Sequence, residues 1–320
     1  MVFCTLSVAK GMIIKMKVVN NVLELIGETP VIKLNRMLGA GQAEVYVKLE
    51  GFNPGGSIKD RPGLYMIEKA EARGLLKKDS IILEATSGNT GIGLAMAASI
   101  KGYRILIVMP ENMSDERKKI LRAYGAELLL TPAVEGMPGA VRRARELAAS
   151  DSRYFLVQQF ENQDNAESHE MTTAQEILRQ MEHKLDILIC GVGSGGTLSG
   201  TGKALKSSLP GIKIVAVEPA KSAVLSGNTA GVHKIQGIGA GFIPSVLNIE
   251  MVDQIIPVSD EDAIETCRQI AKKEALLLGI SSGAAIFAAL NLARDMDQSQ
   301  KILAIAPDGA EKYMSTELFD

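Results

Sequence analysis

The chain has no tryptophan, three cysteines and three histidines among its 320 residues, and each scarcity removes a class of protein. Cys4, Cys190 and Cys267 lie far apart with no C-x-x-C spacing, so neither a disulfide framework nor a zinc site is expected. Unpaired cysteines suit a reducing compartment, and the expected location is the cytoplasm. His169, His183 and His233 are scattered, so none is taken as a general base, and no metal site is expected. No apolar run approaches the roughly 20 residues that cross a bilayer, so no membrane association is expected. An excess of one charge is missing too. With 35 basic and 37 acidic residues well mixed, the formal net charge is −2, which offers no basic face to nucleic acid. Small molecules or other proteins are the implied partners.

The opening MVFCTLSVAKGMIIKMK has apolar character but carries lysines within it and no small-residue cleavage site. It reads as a ragged extension, with Met12 and Met16 as alternative starts.

An apolar fraction of 46% over this length supplies core material for about two domains. Short β-branched runs recur along the chain: EVYVKLE, SIILEAT, RILIVMP, AELLLTP, YFLVQQ, LDILICG, IKIVAVEP, MVDQIIPVS and KILAIAP. Helical patterns separate most of them, such as Lys59 to Arg73 with Gly74 as its stop. A longer helical pattern, Ser259 to Met296, is interrupted near Gly279 to Gly283. Such alternation predicts an α/β fold with parallel twisted sheets and helices on both faces. The division between two domains is expected near residues 155 to 165, in YFLVQQFENQDN. Ligands of such sheets sit beyond the carboxyl ends of the strands.

Four loops carry the chemistry. In NPGGSIKDR, residues 53 to 61, Lys59 falls in the first turn of a helix, where the dipole already presents positive charge. That field should lower the lysine's pKa and favour a nucleophilic neutral amine; the plainer alternative is that Asp60 neutralises it at the surface. In ATSGNTGIG, Thr86, Ser87, Asn89 and Thr90 crowd hydroxyl and amide groups at a helix N-terminus, more than one cap requires, as a carboxylate or phosphate cage. In LDILICGVGSGGTLSG, Gly191, Gly193 and Gly196 fit the dinucleotide fingerprint, and Glu218 stands where a ribose-binding acid would. The same glycines would equally cradle a single phosphate. In LGISSGAA, Ser281 and Ser282 offer a hydroxyl pair or a simple cap. The run Arg117, Lys118, Lys119 reads as a solvated helical stretch, and Cys190, ending a buried strand, as a small hydrophobe. Together, one activated lysine, two anion cages and a hydroxyl pair describe a pyridoxal phosphate site with an amino acid joined to it, whereas a dinucleotide would leave Lys59 and TSGNTG unexplained.

From about Val18 to Phe319 the chain resembles the O-acetylserine sulfhydrylase (cysteine synthase) family. The resemblance runs through IGETPVIKL, NPGGSIKDR, TSGNTGIGLA, MSDERKKILRAYGAELLLTP, QQFEN, GVGSGGT, KIQGIGAGFIP, GISSGAA and EKYMSTELF, in order. It implies a two-domain, tryptophan-synthase-β-like (fold type II) enzyme dependent on pyridoxal 5′-phosphate, shared with cystathionine β-synthase and threonine dehydratase. Residues 53–158 would form the smaller N-terminal α/β domain, and 18–52 with 159–320 the larger one. By the same resemblance Lys59 would form the Schiff base and act as the catalytic base, and Asn89 would bond the cofactor's ring hydroxyl. Gly193, Ser194, Gly195, Gly196 and Thr197 would hold its phosphate, and Ser281 would meet the pyridine nitrogen. Thr86, Ser87, Gly88, Thr90, Gln159 and Gly237 would receive the substrate. The implied reaction replaces the acetate of O-acetylserine by sulfide, with cystathionine β-synthase-like or O-phosphoserine sulfhydrylase activity as alternatives. A homodimer is implied, as is a partner, the C-terminal tail of serine acetyltransferase. The sequence departs from the family's pattern at Ser194, at Asn162-Gln163-Asp164-Asn165, and at Asp308-Gly309-Ala310-Glu311-Lys312, where Thr, Asn-Pro-Ala-Asn and Asp-Ser-Gly-Glu-Arg types are more usual.

Overall fold

The computed structural model describes residues 18–320; Cys4, Met12 and Met16 lie outside them. Among the described residues ten strands form two sheets. The strands are β1 (Val31–Lys33), β2 (Glu44–Leu49), β3 (Ile81–Ala85), β4 (Arg104–Pro110), β5 (Glu127–Thr131), β6 (Tyr154–Leu156), β7 (Ile187–Gly191), β8 (Lys213–Pro219), β9 (Gln254–Val258) and β10 (Lys301–Ala306). One sheet has the order β5-β4-β3-β6 and the other β1-β2-β10-β7-β8-β9. Every pairing is parallel except β1 on β2.

Nine α-helices cover these sheets: α1 (Asp60–Ala72), α2 (Asn89–Lys101), α3 (Asp115–Ala123), α4 (Gly136–Ser150), α5 (Asp164–Met171), α6 (Thr173–Gln180), α7 (Gly196–Ser208), α8 (Asp260–Glu274) and α9 (Ile280–Arg294). In β7 the period of two sends Ile187 and Ile189 into a core with α8 and α9, and Leu188 and Cys190 into another with α6 and α7. The smaller sheet repeats the plan, with α1 and α2 on one face and α4 on the other. Parallel strands buried on both faces, such as β3, β7 and β10, read as unbroken apolar runs; the half-buried edge strands β5, β6 and β9 showed as shorter ones, so nine of the ten were legible. The tenth, β1, is a three-residue antiparallel edge strand and too short to show a period.

Helix α1 ends one residue before its expected stop, and Gly74 takes the left-handed φ of +69° that glycine adopts without penalty. The long pattern from Ser259 divides earlier than the glycines suggested. Helix α8 closes at Glu274 on Ala275 with a left-handed φ of +57°, and α9 begins at Ile280.

Candidate active site

Three of the loops singled out above leave the carboxyl ends of β2, β3 and β7, the fourth joins α8 to α9, and they converge where the two sheets meet. Lys59 precedes the first residue of α1, and its Nζ lies 3.4 Å from Ser194 Oγ, on the loop after β7. Loss of hydration in the cleft lowers the lysine's pKa to about 8. The direction is the one expected, and its cause is burial. Asp60 does not neutralise it. Its carboxylate turns back to accept from the Gly55 N–H at 2.6 Å, and no carboxylate among the described residues pairs with Lys59.

The loop after β7 is built for close backbone approach. Gly195 takes φ +83° as the N-cap of α7, with no side chain capping the helix, so the first amides of α7 stay available to an anion. A Cβ on Gly193 would collide with the Gly237 carbonyl, one on Gly195 would stand 2.6 Å from Leu247 Cβ, and one on Gly196 would collide with the Asn165 side chain. Ser194, buried, accepts from Asn165 Nδ2 at 2.9 Å, and Thr197 Oγ1 lies 3.3 Å from His169 Nε2. Burial holds the His169 pKa well below its ordinary value, so a neutral ring bridges Thr197 and Thr173 Oγ1, the latter 2.9 Å away. His169 is thus a prop beneath the loop.

Across the cleft, Gly88 begins α2 with no side-chain cap, leaving the helix's first amides free beside Thr86, Ser87 and Thr90. Thr86 Oγ1 accepts from the Gly88 N–H at 3.3 Å, and Thr90 Oγ1 donates to Gln159 Oε1 at 2.6 Å, both hydroxyl residues and Gln159 being buried. Ser281 lies buried in the first turn of α9. Gly237, with φ +93°, faces it: a Cβ there would lie 3.8 Å from Ser281 Oγ. The structure therefore brings all the sequence-derived site residues into one cleft, with the α7 cage and the α2 cage supplied by different sheets.

Other residues of the cleft escaped the sequence reading. Arg117 is not part of a solvated stretch. It is half-buried, donates to Ser87 O at 3.3 Å and Gln236 Oε1 at 2.8 Å, and leaves its buried Nε without a partner. Asp308 and Lys312, noted only as a departure, engage Asn89 directly. Asn165 sits behind the glycine loop. A phosphate with an aldehyde-bearing ring suits this donor set: uncapped helix amides and hydroxyls at one end, a deprotonable amine beside them, and a second anion cage opposite. These features define a cofactor-dependent α/β enzyme whose substrate carries its own anionic group.

Comparison with known proteins agrees. Residues 22–308 match the family described as pyridoxal-phosphate dependent enzyme, and the chain belongs to that family. It is 52% identical over 304 residues to a cysteine synthase of Staphylococcus aureus (strain Mu50 / ATCC 700699), covering 95% of this chain and 98% of that one. Its fold matches O-acetyl serine sulfhydrylase isoform 3 from Entamoeba histolytica with TM-score 0.93 at 42% identity, over 98% of this chain and 95% of that one. It also matches a hydrogen sulfide-producing enzyme from Fusobacterium nucleatum with TM-score 0.88 at 47% identity, over 93% and 100%. The resemblance drawn from the motifs is thus borne out, as are the fold class and the cofactor. No helix among the described residues is long and apolar enough to cross a membrane.

Proposed function

We propose that this enzyme is a cysteine synthase, replacing the acetate of O-acetyl-L-serine by sulfide to give L-cysteine. The observation that carries the reading is Lys59, an amine with a pKa of about 8 and no carboxylate partner, lying beside one anion cage and facing another. In this reading the backbone amides of residues 193–197 and the hydroxyls of Ser194 and Thr197 hold the cofactor's phosphate. Asn89 would donate to its ring oxygen, and Ser281 would offer a neutral hydroxyl to its ring nitrogen. When bound, the cofactor supplies the electron sink for a carbanion at the substrate's Cα. Lys59 would take the Cα proton as acetate leaves from Cβ, and would return it after sulfide has added there. Thr86, Ser87, Gly88, Thr90 and Gln159 bind the α-carboxylate, with Gly237 on the opposite wall. Because the bound substrate spans that cage on the smaller sheet and the Gly237 wall on the larger, its binding draws residues 53–158 toward the rest of the chain and excludes water.

One observation favours a second donor. The unpartnered, buried Nε of Arg117 is the kind of basic contact an O-phosphoserine would use. The test follows the cofactor's visible band as O-acetylserine, O-phosphoserine and serine are added separately, then sulfide or homocysteine. A change with O-acetylserine reversed by sulfide, and lost in Lys59→Ala, is the expected result; normal cysteine production by Lys59→Ala refutes the reading.

The partners follow from the same site. The enzyme is read as a homodimer, and as cytoplasmic, the latter consistent with the free, buried thiols of Cys190 and Cys267. The α2 cage also suits the terminal carboxylate of a serine acetyltransferase tail. Phe160, next in the chain to Gln159, packs edge-on to Phe242 with ring centroids 5.2 Å apart, an apolar wall for the tail's last side chain. A synthetic tail that binds equally well after amidation of its carboxylate would show that this cage is not its anchor.

A further inference from the structure

Asn89 opens α2 with both ends of its amide engaged by residues that follow β10. Nδ2 donates to Asp308 Oδ2 at 2.8 Å, and Oδ1 accepts from Lys312 Nζ at 2.9 Å. An ammonium can only donate, so the Lys312 contact fixes the oxygen's direction and leaves the second N–H of Nδ2 for a ligand. The same ammonium reaches Gly55 O at 3.2 Å and Gly56 O at 3.3 Å, in the turn just ahead of Lys59. Gly56 has φ +79° and an added Cβ would press to 3.3 Å from Lys312 Nζ, so the turn is shaped around that ammonium. Asp308 is held in turn, its Oδ2 also accepting from Tyr313 OH at 2.7 Å. Its Oδ1 is buried without a partner.

We propose that Lys312, acting with Asp308, is a positioning pair for Asn89: it fixes which end of the amide faces the cofactor and ties the first turn of α2 to the loop bearing Lys59. This rests on the reading that Asn89 donates to the cofactor's ring oxygen. Without the ammonium Asp308 alone holds the amide through Nδ2, Oδ1 loses its donor, and the N–H left for the ring oxygen is held less firmly. An arginine at 312 keeps a donor in place and a methionine does not. The charges facing Lys312 are Asp308, Asp60, Glu311 and Arg117, and all remain in either variant.

The experiment uses purified holoenzyme and titrates the cofactor's visible band with pH, alongside cofactor content and the position of attachment mapped after borohydride reduction. Lys312→Met is expected to keep cofactor on Lys59 and to move the midpoint by about one pH unit, the scale of one lost charge-assisted contact. The shift should match that of Asn89→Ala in direction, and the two substitutions combined should move the band no further than Asn89→Ala alone. Lys312→Arg should stay near the wild type. If Lys312→Met does not fold, Lys312→Ala is read by the same titration, and an unmoved band refutes the pairing. Additive shifts, or a shift in Asn89→Ala with none in the Lys312 variants, overturn the proposal while leaving the site reading intact. An unmoved band in Asn89→Ala itself overturns that reading.

Discussion

Replacing Glu176 by glutamine should cost more stability than any surface substitution, although the residue touches neither cage. Lys48, Glu50, Arg61 and Glu176 form a buried cluster of two cations and two carboxylates, with side chains at most 5% exposed. Arg61 bonds Glu50 at 2.7 and 3.0 Å and Glu176 at 2.6 and 2.8 Å, and Lys48 reaches Glu176 at 2.8 Å. Glu176 also accepts from the Glu28 N–H at 2.9 Å, so the cluster joins α6 to the IGETP segment and to Arg61, two residues beyond Lys59. Glu176→Gln leaves two buried cations facing one carboxylate. Breaking a buried pair from one side costs about 3–5 kcal/mol, and for a chain of this size the melting temperature should fall on the order of 10 °C. The double variant Glu176→Gln, Lys48→Met restores charge balance and should recover more than half of the loss. Burial by itself would raise the Glu176 carboxyl, and the pairing with Arg61 and Lys48 reverses this and holds its pKa at about 2. A pKa depressed by folding contributes stability that is fully present above the ordinary carboxylate range and is lost as pH falls toward 2. The gap between wild type and variant should therefore narrow in acid. Thermal and urea unfolding measure both effects. A loss below about 1 kcal/mol, the worth of an exposed pair, would refute the reasoning.

Three further outcomes follow from the cleft. Gly193→Ala should fold yet lose cofactor during dialysis, because the new methyl collides with the Gly237 carbonyl; retention comparable to wild type would mean the loop does not hold phosphate. Attachment of added cofactor to the apo-protein should accelerate as Lys59 loses its proton, with a midpoint near pH 8, measured by stopped-flow absorbance. A midpoint near the ordinary lysine value would contradict the desolvation. Ser87→Ala should slow the first half-reaction, on O-acetylserine, more than it loosens the cofactor, since Ser87 belongs to the cage of the smaller sheet; unchanged first-half kinetics count against that role.

What the sequence made legible follows the range over which each signal acts. Runs such as ILICG announce strands because burial on both faces is a local property of consecutive residues. Lys59 stood out for its place at a helix start, yet its lowered pKa comes from desolvation, which depends on what covers the cleft and not on its neighbours in the chain. Arg117 was misread for the same reason. Arg-Lys-Lys on a helix looks solvated, while the partners that bury Arg117 lie 30 and 119 positions away. Asp308 and Lys312 meet Asn89 across 219 and 223 positions, and in the sequence they left only a departure from a family pattern.

The glycine loop raised the question of ligand size, and the space behind it bears on the answer. A dinucleotide-binding acid must keep lone pairs free for ribose hydroxyls. Glu218 is 2% exposed and spends its oxygens on the turn after β8, accepting from Leu225 N at 2.7 Å, Ser226 N at 3.0 Å and Ser226 Oγ at 2.5 Å. The crevice between Gly193 and Glu218 is closed by Gly239 to Phe242 and holds about 10 Å³, room for about one water. A nucleoside would have to displace these loop residues to lie there. The glycines set how closely backbone amides approach a phosphate, which any phosphate ester can use. The loop that packs on Gly193 from the far side, with the Gly237 carbonyl against it, limits that ester to one whose remaining atoms extend toward Lys59.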